Sequence, residues 1–284
     1  MAGSAQKERL QSYASLGGLA VAALFVVHWA NAGPAVEQDP TATPGAPHPQ
    51  TQIRRTSSAT PSAAPSAAPA PSAAPSSAPP SKPSKPQRYV VAAIGDSLTD
   101  ERSYAHAYMR QLRDTCPKSR WDNFGVGGNM VNQMRRRFDR DVLQSGNPKY
   151  THLIVFGGVN DVYSDKTAGR TPKLIERDLS YMYERGRKAG MQVVALTITP
   201  WGGFKRYFNE ERMAATKSVN AWIRGEEGGR IDHVIDAFPL LSCGDPEKLC
   251  EKYMKPFKDG LHFGKLGHEV LKNVMLQRLF PNCE

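Results

Sequence analysis

From residue 88 onward, short uninterrupted apolar runs alternate with longer stretches whose apolar residues recur at helical spacing. The runs Tyr89–Ile94, Trp121–Phe124, His152–Phe156, Gln192–Ile198 and His233–Ile235 read as strands. Between and after them, Tyr104–Thr115, Met130–Leu143, Pro172–Lys188, Glu210–Arg224 and Lys265–Leu279 read as amphipathic helices. Strand runs that are continuously apolar, rather than alternating, predict a parallel sheet covered on both faces. The expectation is a three-layer α/β/α sandwich with five parallel strands and right-handed crossovers. Ligands of such sheets lie outside the carboxyl ends of the strands, so functional residues are expected just after them.

The pattern is absent before residue 88. Residues 33–87 are dominated by Pro, Ala, Ser and Thr, with almost nothing large and apolar to bury, and read as an extended, disordered linker. Ahead of it, Lys7 and Arg9 precede an apolar run from Leu16 to Val27, followed by Ala30-Asn31-Ala32. That order reads as a signal peptide; residues 14–32 left uncleaved would instead make a signal anchor and a membrane attachment. The expectation is an exported protein, periplasmic, envelope-anchored or secreted. No cysteine precedes Cys116, so lipid attachment behind the apolar run is not indicated. Residues 88–284 then make one domain, large enough for a well-formed core.

Export changes the reading of the four cysteines, Cys116, Cys243, Cys250 and Cys283. An oxidising compartment favours two disulfides, with three pairings open. Cys243 and Cys250 sit close together in a Gly/Pro-containing loop and are the easiest pair to close, which would leave Cys116 for Cys283. Their spacing matches no zinc pattern.

Charge adds one constraint. The chain carries 37 Lys and Arg against 27 Asp and Glu, a formal +10, and +7 of it falls within residues 88–284. Such a surface suits an anionic envelope or nucleic acid, the latter ranking last. Arg135, Arg136 and Arg137 interleave with Met130, Met134 and Phe138, which reads as a solvated helix face over a buried one.

Four short motifs fall behind the strands or near the end of the chain: Gly95-Asp96-Ser97-Leu98, Gly125-Val126-Gly127-Gly128, Gly158-Val159-Asn160-Asp161 and Asp259-Gly260-Leu261-His262. In these blocks, and in their order, the sequence resembles the SGNH or GDSL hydrolase family over roughly residues 88–279. The resemblance implies a flavodoxin-like SGNH hydrolase fold, a catalytic triad of Ser97, His262 and Asp259, and an oxyanion hole made by the backbone N–H groups of Ser97 and Gly128 and the side-chain amide of Asn160. Met130 and Phe263 stand where Thr and Pro are common in that family; neither replaces a catalytic group.

The residue types suit the chemistry. A serine hydroxyl needs an adjacent base to become a nucleophile, and an imidazole serves when a carboxylate fixes its tautomer. Asp259 and His262 are three apart, so in a helical or tight turn both side chains leave the same side of the backbone. Asp96 is read as ordering the nucleophile turn, and His152, His233 and His268 as structural; His106, close behind that turn, stays open. A bare helix-capping turn is the alternative for Gly-Asp-Ser, and the glycine block is not G-x-G-x-x-G, which argues against a dinucleotide. No metal or organic cofactor is required.

Behind the fourth strand, Pro200-Trp201-Gly202-Gly203-Phe204-Lys205-Arg206 offers aromatic and basic groups, and Trp201 and Phe204 are candidate substrate-binding residues, with packing as the alternative. The 55-residue linker, at about 3.1 Å per residue, would reach on the order of 170 Å. The combined expectation is an exported serine esterase removing short acyl groups such as acetyl from envelope or extracellular carbohydrate. A lysophospholipase, lipid esterase or thioesterase, acting on an acylated lipid, is the enzymatic alternative. A non-catalytic glycan-binding module is the alternative from another class.

Overall fold

The computed structural model describes residues 85–144 and 148–284. The signal or anchor segment and nearly all of the proposed linker lie outside the described residues.

Five strands, β1 (Val90–Gly95), β2 (Arg120–Gly125), β3 (His152–Phe156), β4 (Gln192–Leu196) and β5 (His233–Ile235), form one sheet in the order β2-β1-β3-β4-β5, every neighbouring pair parallel. The order reverses at β1 and β3, leaving a crevice between their carboxyl ends. Gly95 pairs with both Gly125 and Phe156, so three of the motifs begin at one level of the sheet. The central strands are buried along almost their whole length, as their continuous apolar runs require. β2 lies on the edge, where Asp122 and Asn123 keep partial access to solvent.

Helices cover both faces. On one, α1 (Tyr108–Thr115) packs against the C-terminal α8 (Lys265–Arg278). On the other, α2 (Val131–Phe138), α5 (Pro172–Lys188) and α6 (Glu210–Gly225) pack in series. Two short helices, α3 (Val159–Tyr163) and α4 (Asp165–Ala168), follow β3 directly. A third, α7 (Ala237–Leu240), leads into a hairpin of β6 (Ser242–Cys243) and β7 (Asp245–Leu249). Among the described residues, no helix is long and apolar enough to cross a membrane.

Three element boundaries differ from the periodicity by two residues or more. α1 begins at Tyr108 rather than Tyr104, because the chain behind the Gly95–Leu98 turn continues as tight turns in which Ser103 and Tyr104 donate to the Asp100 carbonyl. Tyr104 is used instead to stack on His268 of α8, 5.5 Å between ring centres. The helix expected over Met130–Leu143 is α-helical only to Phe138, then widens into a π turn over Asp139–Leu143. β4 stops at Leu196 because side chains take over the pairing: Thr197 Oγ1 donates to Asp236 and Ile198 N donates to Asn220 Oδ1.

Disulfides join Cys116 to Cys283 and Cys243 to Cys250. The first ties the end of α1 to the chain terminus, where Gln87 also exchanges backbone hydrogen bonds with Asn282 and Glu284. The fold thus already includes Gln87, one residue before the boundary read from composition.

Candidate active site

β1 ends at Gly95, and the chain turns at once around the Asp96 carbonyl, which accepts the N–H groups of Thr99 and Asp100. The buried Asp96 carboxylate takes the Leu98 N–H at 2.9 Å, closing an Asx turn that holds Ser97 between them. Burial pushes the Asp96 carboxyl up to about 7, with Asp161 nearby adding to it and the Leu98 N–H and His262 opposing it. Its contacts are those of a residue that orders the loop, in line with the reading from sequence.

The partner of Ser97 comes from the other end of the chain. His262 Nε2 lies 3.0 Å from Ser97 Oγ, across 165 residues of sequence. On the far side of the imidazole, Nδ1 meets Asp259 Oδ2 at 2.6 Å. Asp259 Oδ1 meanwhile accepts the backbone N–H groups of Leu261 and His262, at 2.9 and 2.8 Å, so one carboxylate both shapes the turn and holds the ring. Burial alone would raise the Asp259 carboxyl; the His262 ring and the two N–H groups outweigh it and keep it below the usual carboxylate range. Gly260 has φ +81°, and a Cβ there would run into the Gly203 carbonyl, so the turn fits only with glycine.

The glycine block and Asn160 close the third side. Gly128 has φ +77° with open space where a Cβ would stand; the backbone conformation, not crowding, calls for glycine. Among the described residues, neither the Ser97 nor the Gly128 backbone N–H donates to a protein acceptor. Asn160, just behind β3, donates Nδ2 to the Asn129 carbonyl at 2.9 Å and approaches Asp96 Oδ2 at 3.4 Å. Tyr163 fixes the amide the right way round by donating its hydroxyl to Asn160 Oδ1 at 2.6 Å. The neighbouring Asp161 is structural: it accepts the Val131 N–H at 2.9 Å and a 2.7 Å ion pair from Arg170.

The sequence reading missed the role of Arg137, and for this one arginine of the run the solvated-face assignment is corrected here. Its side chain is only 11 % exposed. It donates to the carbonyls of Gly95 (3.1 Å) and Phe124 (2.7 Å) and to Asn129 Oδ1 (2.8 Å). One guanidinium therefore joins the ends of β1 and β2 to the residue whose carbonyl holds the Asn160 amide. The only signal in the sequence was three arginines in a row, too many for one face of a helix at 3.6 residues per turn.

Trp201 is also corrected. It is fully buried and donates its indole N–H to Thr216 at 3.0 Å, so it packs the loop down and presents no ring to a ligand. Phe204 keeps partial exposure and forms an aromatic wall with Tyr163 and Tyr207, next to the exposed Lys205 and Arg206. His106 is exposed and rests its ring edge against Tyr104. His268 is buried, accepts the Tyr108 N–H on Nδ1 and is pushed down to about 3 by desolvation, with His262 adding to it. Among the described residues no cluster of His, Cys, Asp and Glu is grouped to hold a metal.

A doubly wound parallel sheet with a hydroxyl, an imidazole and a carboxylate in line at its switch point, beside an amide, is an arrangement in which a serine can be activated as a nucleophile. The chain belongs to the GDSL-like lipase/acylhydrolase family, whose profile matches residues 93–270. It is 31% identical over 120 residues to the uncharacterized lipoprotein YqeF of Bacillus subtilis (strain 168), a match covering 39% of this chain; the chain spans about half, 48%, of the length of that relative. The fold is shared with a GDSL-like lipase from Bacteroides thetaiotaomicron, at TM-score 0.55 and 20% identity over 66% of this chain and 86% of that one. It is shared too with a catalytic mutant of Axe2, an acetylxylan esterase from Geobacillus stearothermophilus, at TM-score 0.52 and 16% identity over 68% and 94%.

Proposed function

We propose that the protein is an exported serine esterase that removes short acyl groups, acetyl foremost, from carbohydrate of the envelope or the extracellular space. The observation that carries this reading is the continuous line Ser97 Oγ, His262 Nε2, His262 Nδ1, Asp259 Oδ2, with contacts of 3.0 and 2.6 Å. His262 takes the Ser97 hydroxyl proton as Oγ adds to the ester carbonyl, and Asp259 stabilises the imidazolium that forms. The Ser97 and Gly128 N–H groups and the Asn160 amide receive the negative charge that develops on the carbonyl oxygen, each such donor being worth about 10² to 10³ in rate. The intermediate collapses by expelling the alcohol oxygen, which takes the proton from His262. A water then gives its proton to His262 and adds to the acyl-serine, releasing the carboxylic acid and restoring the Ser97 hydroxyl.

Support for a carbohydrate substrate comes from the acetylxylan esterases among the fold's relatives and from the Phe204–Tyr207 wall beside basic groups. Support for export comes from the two disulfides and the lipoprotein relative. Acetate release from acetylated xylan, alongside p-nitrophenyl esters of increasing acyl length, tests both parts. Turnover that falls with chain length and vanishes in Ser97→Ala is the expected result. Wild-type turnover no greater than that variant's removes the reading, and a preference for long chains turns it into a lipid esterase.

A further inference from the structure

Behind the oxyanion side of the site, α2 and α5 enclose a groove of about 400 Å³, within the usual size range of ligand pockets. Its lining holds four guanidiniums, Arg135, Arg136, Arg170 and Arg177, against two carboxylates, Asp139 and Asp178. The carboxylates are already committed. Asp178, 1 % exposed, accepts Arg135 at 2.7 Å, Arg170 at 2.8 Å and Arg177 at only 3.3 Å, while Asp139 is shared between Arg185 and the Tyr181 hydroxyl. Arg136 is exposed and makes no ion pair among the described residues. Positive charge is therefore left over on both walls, on Arg136 from α2 and on the loosely held Arg177 from α5.

This excess of positive charge asks for a ligand that carries an anion. We propose that the groove is a second subsite that holds an acidic glycan, its carboxylate or phosphate paired with Arg136 and Arg177. Planar guanidiniums match either anion in bidentate fashion. The position suits a polymer that also reaches the ester site: Asn132 lies three residues beyond Asn129, whose carbonyl holds Asn160, and Arg170 in the groove wall bonds Asp161, the neighbour of Asn160. This deepens the reading as a carbohydrate esterase and rests on it for the identity of the polymer, though not for the binding itself.

The test is calorimetric binding of the full chain to polygalacturonate, to a polymeric glycerol phosphate and to neutral xylan, at two salt concentrations. Both polyanions are expected to bind more tightly than xylan, the tighter one naming the anion. Arg136→Ala/Arg177→Ala should weaken that binding about tenfold or more and reduce its salt dependence, while p-nitrophenyl acetate turnover is unchanged. Arg136→Glu alone, at an exposed position, should act in the same direction. Undiminished binding in these variants overturns the subsite, as does equal affinity for xylan, or an equal loss from Arg110→Ala elsewhere on the surface. Failure of ester turnover leaves the binding result standing, and failure of binding leaves the esterase standing.

Discussion

Tyr163 donates its hydroxyl to Asn160 Oδ1 at 2.6 Å, and in doing so decides that the Nδ2 end of the amide meets the Asn129 carbonyl. The same ring packs against Phe204 and Tyr207, so the aromatic wall and the amide are mechanically one piece. Tyr163→Phe keeps the ring and removes the orienting hydrogen bond. With one such bond worth about 1 kcal/mol, kcat for p-nitrophenyl acetate should fall roughly five- to tenfold with KM little changed. Asn160→Ala should fall by about 10² to 10³ in the same assay.

Arg137 is expected to act through position rather than contact with substrate. Arg137→Met leaves the carbonyls of Gly95 and Phe124 without their charged donor and frees Asn129. The measurement is kcat beside the thermal midpoint. A loss in kcat of about tenfold or more, measured well below the unfolding transition and partly rescued in Arg137→Lys, is the expected result; a shift in midpoint with kcat intact would make the residue purely structural.

Asp259→Asn keeps the shape of the side chain and removes its charge. The imidazole then lacks both its tautomer constraint and the anion that stabilises its protonated form, so kcat should drop by up to about 10⁴ while Ser97 stays in place. Steady-state kinetics of the variant check this directly.

His268 gives the pH prediction. Burial depresses its folded value to about 3 from an ordinary 6.5, so the unfolded chain binds a proton that the folded one refuses. Its contribution is complete above about 6.5 and is lost as pH falls toward 3. Asp96, raised to about 7, has the opposite sign: its contribution is complete below about 4 and is lost as pH rises to 7. Between pH 6.5 and 4 the two oppose each other, so in urea unfolding His268→Gln should make stability rise on acidification relative to wild type, by removing the histidine contribution alone.

The two disulfides should differ in weight. Cys116–Cys283 closes a loop of 167 residues and Cys243–Cys250 one of 7. Loop-closure entropy assigns on the order of 5 kcal/mol to the first and about half of that to the second. Denaturant midpoints of Cys116→Ala/Cys283→Ala and Cys243→Ala/Cys250→Ala compare them, and the long-range pair should cost more.

The sequence by itself determined the five strands, their order along the chain and the local spacing that sets Asp259 beside His262. That information is short-range: a buried parallel strand must be apolar throughout, and Asp259 can reach the Leu261 and His262 N–H groups because it is two and three residues away. Tertiary structure alone decided where side chains at equivalent sequence positions went. Arg136 stayed in solvent while Arg137, one position on, turned inward to the strand ends, because a helix commits a residue to a face only once a neighbour packs on it. Trp201 was drawn beneath its loop by Thr216 on α6, 15 residues away, where no periodicity could place it. The contact between Ser97 and His262 belongs to the same class: 165 residues separate the hydroxyl from the base, and the sheet and α8 supply the distance that brings them to 3.0 Å.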